Sequence, residues 1–152
     1  MRRPGRDRLA AAILALAPAL AAGGAGAQEA VVARVKTLEG TAYALRGADR
    51  VSLVVGQPIR LKDVVETTQG SIGLTFRDGA RLSIGPNSRL ELKSFEYAPA
   101  EGELAFLVAL ARGTLVYISG LIGKLAPERT QVETPVATVA VRGTRFLVKV
   151  EE

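Results

Sequence analysis

The chain has 152 residues, 20 Lys and Arg against 15 Asp and Glu, and neither Cys nor His. That excludes disulfides, thiolate or imidazole metal sites and the usual zinc chemistry. Any general acid–base catalysis would have to run on carboxylate, Lys, Tyr or hydroxyl groups.

The first segment is read apart from the fold. Arg2, Arg3, Arg6 and Arg8 form a basic head, Leu9 to Leu20 an apolar run, and Ala25-Gly26-Ala27 a small-residue end. This is the layout of a secretory signal peptide, with cleavage expected after Ala27. The apolar run is shorter than the roughly 20 residues that span a bilayer, and Pro18 and Gly23-Gly24 interrupt it. Arg2-Arg3 lacks the apolar residues of a twin-arginine signal, so general secretion is favoured. The expected division is a leader at 1–27 and one domain at 28–152, destined for the periplasm or secretion, with no stable membrane anchor after cleavage. The leader takes four Arg and Asp7 with it, leaving 16 basic and 14 acidic residues, or +2. No block of like charges remains, so the sequence carries no electrostatic footprint for nucleic acid.

Past the leader the pattern is that of short strands. Val31 to Lys36 leads to Gly40, and Thr41 to Leu45 alternates up to the turn signal Arg46-Gly47-Ala48-Asp49. Val51 to Val55 is apolar and closes at Gly56-Gln57-Pro58. Ile59 to Lys62 alternates, and Asp63 to Thr67 follows. Ile72, Leu74 and Phe76 share one face, and Asp78-Gly79 then marks a hairpin into Arg81 to Ile84. After Gly85-Pro86-Asn87-Ser88, Arg89 to Lys93 alternates cleanly. The segment Gly102 to Gly120 fits two strands split at Gly113-Thr114. The fold class is all-β, with strands that have one buried and one wet face.

The chain also echoes itself. Val65-Glu66-Thr67 recurs as Val132-Glu133-Thr134, and Gly40-Thr41 with Tyr43 recurs as Gly113-Thr114 with Tyr117. Two similar β units, the second shortened, suggest a compact two-sheet sandwich or a short solenoid-like β roll.

The C-terminal run reads VETPVATVAVRGTRF from Val132 to Phe146. With Gly113-Thr114-Leu115, the segment Leu53 to Thr67 and the Asp78-Gly79 hairpin, it closely resembles the FecR domain family, from about Val32 to the end. The resemblance implies an extracytoplasmic all-β domain without enzymatic activity or cofactor. Its best-known members relay iron-siderophore signals between an outer-membrane transporter and a cytoplasmic sigma factor. No sigma-binding domain is expected here, so the chain is similar to the free-standing exported members. The motif residues are Thr134, Pro135, Thr138, Arg142, Gly143 and Thr144, each expected to be structural.

Other candidates are read the same way. Arg142-Gly143-Thr144 is expected to be a glycine turn between two strands, with Arg142 donating to nearby carbonyls or carboxylates. Glu66 and Glu133 are expected to be solvated or salt-bridged, since no second polar cluster supports a catalytic pair. Asp78 is expected to serve its hairpin turn. Gly120 to Leu125 fails the phosphate-loop spacing and is expected to be a flexible loop with a snorkelling Lys124. Tyr43, Tyr97 and Tyr117 are expected to be half-buried with wet hydroxyls. The function expected is a non-enzymatic module that binds a protein of the cell envelope through an exposed strand edge. Alternatives are a cell-wall or polysaccharide-binding module, or a component of iron-siderophore signalling.

Overall fold

The computed structural model describes residues 29–151; the expected leader at 1–27 and its cleavage point lie outside them. Within the described residues ten strands form one hydrogen-bonded network: β1 (Val31–Arg46), β2 (Asp49–Ser52), β3 (Pro58–Arg60), β4 (Val64–Phe76), β5 (Arg81–Ile84), β6 (Arg89–Ala98), β7 (Glu103–Ile118), β8 (Thr130–Glu133), β9 (Thr138–Ala140) and β10 (Arg145–Val150). A five-residue helix, α1 (Leu121–Leu125), follows β7. Among the described residues no helix is long and apolar enough to cross a membrane.

The network folds over into two layers because three long strands belong to both. The first layer runs β3, the start of β1, the end of β4, β5, the end of β7 and β10. The second runs β2, the end of β1, the start of β4, β6, the start of β7, β8 and β9. The expected alternatives, sandwich and roll, thus meet in one creased sheet whose two faces enclose the core.

The creases are glycines, which corrects an expectation from the sequence. Gly40 and Gly113 were expected to separate strands, yet β1 and β7 run straight through them, as β4 runs through Gly70. Gly40 and Gly70 are cross-strand partners with φ of 75° and 85°. A Cβ at Gly40 would lie 2.1 Å from the Gln69 carbonyl oxygen, and one at Gly70 would lie 2.0 Å from that of Glu39. Only a pair without side chains lets both backbones turn at that closeness.

The third crease is held by polar groups. Gly113, at φ 96°, packs on Ser88, which is fully buried. The Ser88 Oγ accepts from Thr114 N–H at 3.1 Å and donates to the Pro86 carbonyl at 3.1 Å. Ser88 N–H donates to Thr67 Oγ1 at 3.0 Å, and Thr67 Oγ1 donates to the Gly85 carbonyl at 2.6 Å. Every buried hydroxyl in this knot is satisfied, so it binds β4, β7 and the turn before β6 without a desolvation penalty.

Alternation places the apolar residues between the layers. Leu74, Leu82 and Tyr117 point in from the first, and Leu90, Phe106, Leu110 and Val132 from the second, all fully or almost fully buried. All four phenylalanines lie in one chain of ring contacts. Phe95 meets Phe76 at 5.5 Å, Phe76 meets Phe106 at 5.1 Å, Phe106 meets Tyr117 at 5.2 Å, and Tyr117 meets Phe146 at 5.1 Å. These tilted and edge-on contacts bridge the layers and add to the burial of the rings. Tyr117 is fully buried, contrary to the expected wet hydroxyl, and burial pushes that hydroxyl above its ordinary value. Tyr43 is half-buried, with the Arg50 guanidinium 3.7 Å above its ring.

The crease is the feature most sensitive to substitution. Gly70→Ala is expected to destabilise the fold by about 3 kcal/mol, since backbone must move as well as adopt a strained φ. Gly47→Ala, at φ 59° with nothing within 4 Å of its Cβ position, should cost about 1 kcal/mol. Urea denaturation of both variants checks the ranking; equal losses would refute the role given to the crease.

Candidate functional site

The motif residues near the C-terminus form two connections. Thr134 closes the β8–β9 hairpin: its N–H donates to the Ala137 carbonyl at 2.7 Å, and Ala137 N–H donates back to Thr134 Oγ1 at 3.1 Å. Pro135 sits inside that turn, and Thr138 opens β9 opposite Glu133. Val141 is then buried, its N–H donating to the Thr130 carbonyl at 2.9 Å. Arg142-Gly143-Thr144 carries the chain from the second layer to the first.

This last link is not a hairpin turn, because β9 pairs with β8 and β10 pairs with β7. Ser119 holds it at two points. Ser119 Oγ donates to the Gly143 carbonyl at 2.8 Å, and Ser119 N–H donates to the Thr144 carbonyl at 2.9 Å. Gly143 has φ 121°, a backbone position that favours glycine. Arg142 departs from expectation: its side chain is exposed and donates to no carbonyl or carboxylate among the described residues.

Upstream motif residues also act within the fold. Asp63 is buried and takes a bidentate pair from Arg46, with Nε to Oδ1 at 2.9 Å and the terminal nitrogen to Oδ2 at 3.0 Å. Arg60 N–H adds a third bond to Oδ2 at 2.9 Å. This geometry compensates for burying the charge. Asp78 serves the β4–β5 turn as expected, with Ala80 N–H donating to its Oδ1 at 3.0 Å. It does more. Its carbonyl accepts from Leu121 N–H at 2.9 Å and its Oδ2 from Ile122 N–H at 3.2 Å, so it receives the first amides of α1. The expected flexible loop at Gly120 to Leu125 is therefore a helix, held by a carboxylate 44 residues away.

Glu66 pairs with Arg89, and Glu133 with Lys93 at 2.7 Å, both cations lying on β6. Neither is the unengaged carboxylate that a general acid or base needs. Among the described residues, no group of three or more acidic residues is placed to hold a metal ion.

What these connections present outward is β10. It pairs with β7 alone, which leaves its other edge without a strand partner among the described residues. Arg145, Leu147 and Lys149 are exposed along it, Leu147 at 63%. Phe146 and Val148 turn inward onto the core and fix the register. Lys149 donates to Glu151 at 2.5 Å, and that bond holds the Glu151 carboxyl below its ordinary value. A six-residue edge with satisfied inward side chains and free main-chain groups is suited to accepting another strand. Local pattern implies an exposed edge without locating it, since edge status depends on pairing between segments distant in sequence.

A family model described as FecR protein matches residues 63–152 of the chain, which takes in β4 to β10 and leaves β1 to β3 outside. No curated protein and no solved structure gives a match.

The two halves of the Arg-Gly link should separate on substitution. Gly143→Ala is expected to cost about 2 kcal/mol through its positive φ. Arg142→Ala should stay within about 0.5 kcal/mol of the parent. Thermal unfolding followed by circular dichroism decides between them, and a large loss for Arg142→Ala would show a structural bond to that side chain.

Proposed function

The chain belongs to the FecR family, and from that premise we propose that it is a non-enzymatic, exported module that docks a protein partner of the cell envelope along the β10 edge. The family is regulatory and envelope-associated. One observation carries the docking reading: the edge of β10 is open while its inward side chains are already committed to the core. A partner strand would gain main-chain hydrogen bonds there, and alternate side chains beside Leu147 would supply selectivity.

Absence of catalysis is supported by the engagement of the carboxylates singled out in the sequence and at the buried turns. Asp63, Asp78, Glu66 and Glu133 each hold a cation or backbone amides. Export is supported by the leader read at 1–27. The motif residues Thr134, Pro135, Thr138, Gly143 and Thr144 then act by building the turns that deliver β10 to the sheet margin.

Two measurements test this reading. Mass spectrometry of the protein recovered from the expressing cell should give a chain starting at Gln28; retention of Met1 would refute cleavage. A photo-reactive residue at Leu147 should cross-link to a discrete envelope protein in living cells, whereas the same probe at Ser52 in β2 should not. Absence of any adduct at Leu147 would sink the edge-docking proposal.

A further inference from the structure

The first layer has an outer face whose composition the fold alone does not explain. Alternation sends Val35, Leu74, Leu82 and Tyr117 inward, so Arg34, Thr75, Arg81, Ile118 and Arg145 face out. Strand register aligns these five. Arg34 opposes Thr75, Thr75 opposes Arg81, Arg81 opposes Ile118, and Ile118 opposes Arg145. Three arginines therefore stand in one row across the sheet, each two strands from the next, or roughly 10 Å at the usual strand separation. Lys36 lies at the bulge of β1 beside the row. An open groove of about 260 Å³ runs there, lined by Lys36, Thr37, Gly73, Arg81, Ser83 and Val116.

Among the described residues, none of Arg34, Lys36, Arg81 and Arg145 has a carboxylate partner; the one side-chain bond of the four is Arg34 to the Gly56 carbonyl at 3.2 Å. Acidic side chains are placed elsewhere, with Glu91 and Glu96 on β6, and Glu101 and Glu103 beyond it. Aligned like charges without counter-charges do not favour folding. They do favour an anion, and a guanidinium binds a carboxylate in a planar, two-bond fork.

We propose that this row binds an extended acidic segment of a partner protein, with carboxylates on every third residue. This deepens the protein-docking reading above and rests on it. The spacing selects the ligand. A polyproline II chain has three residues per turn and rises about 3.1 Å per residue, so every third side chain recurs on one side at about 9.3 Å. That period matches the arginine row. Gly73, Ser83 and Thr37 keep the groove shallow-walled enough for a narrow chain, and Val116 and Ile118 give it an apolar side that the rings of a proline-rich segment would cover. The aromatic rings of this layer, Phe76, Tyr117 and Phe146, point into the core. These rings are therefore not available on this face for stacking on a sugar.

Fluorescence anisotropy with a labelled peptide of four Glu-Pro-Pro repeats tests the proposal on the exported chain. Binding should weaken at least tenfold in R34E/R81E and should fall as salt rises. It should stay within about threefold in R50E/K62E, which reverses two charges off the row. A peptide of the same composition with its glutamates contiguous should bind more weakly. Equal binding by the parent and R34E/R81E, or no binding by the parent, overturns the proposal. Binding of phosphatidylglycerol vesicles or of a phosphate polymer through the same arginines, without peptide binding, overturns it in favour of that ligand. The Leu147 cross-link separates the two levels: an adduct unchanged in R34E/R81E removes the row and leaves the docking reading, whereas no adduct in the parent removes the reading itself.

Discussion

Closeness of two backbones at Gly40 and Gly70 is the constraint on which the molecule depends. With carbonyl oxygens at the positions where their Cβ atoms would stand, these residues let β1 and β4 turn together and stay paired on both sides of the bend. Gly113 does the same for β7 against Ser88. A sheet that turns without breaking needs no separate second sheet to cover its apolar face, because the same strands form both walls. The aromatic chain from Phe95 to Phe146 fills the space this produces.

The alternation of β4, β5 and β6, the Asp78-Gly79 hairpin and the all-β class were legible because each depends on neighbours in sequence. The glycines were legible as special but not as creases. A strand that ends at glycine and one that creases at glycine look the same until the opposing residue is known, and the opposing residue of Gly40 is 30 positions away. Helix α1 shows the same limit. Gly120 to Leu125 is too short to propagate as a helix on local propensity, and its anchor is Asp78 in a different turn. The internal echo was partly informative: Gly40 and Gly113 both crease long strands, and Glu66 and Glu133 both meet cations on β6. Pairing differs between the halves, with β4 antiparallel to β1 and β8 parallel to β7.

The residues that mark the family divide by what they touch. Asp63, Thr67, Thr134, Gly143 and Thr144 are engaged with the chain's own backbone or with Arg46. Their motif therefore describes how the sheet is closed and where its last strand is laid. Arg142 stands apart, exposed and without a bond to the described residues, three positions before the first residue of β10. A motif written in strand connections is compatible with members that bind different partners, since the binding groups lie on strands and edges that those connections only position.

The same crease that makes the core also decides which charges meet. Along the chain, Arg34, Arg81 and Arg145 are isolated, and the domain holds no basic block. Register brings them to one line because β1, β4, β5, β7 and β10 are consecutive in the first layer. Net charge was therefore a poor guide to electrostatics here: a small excess spread over the sequence becomes a row on one face. Arg145 belongs to both surfaces, heading the β10 edge and ending the row. A strand added to β10 would run along the sheet margin, while a chain on the row would cross the strands at right angles. The two modes use different groups, main-chain amides in one and guanidiniums in the other, so one partner could engage both through adjacent segments, each raising the effective concentration of the other.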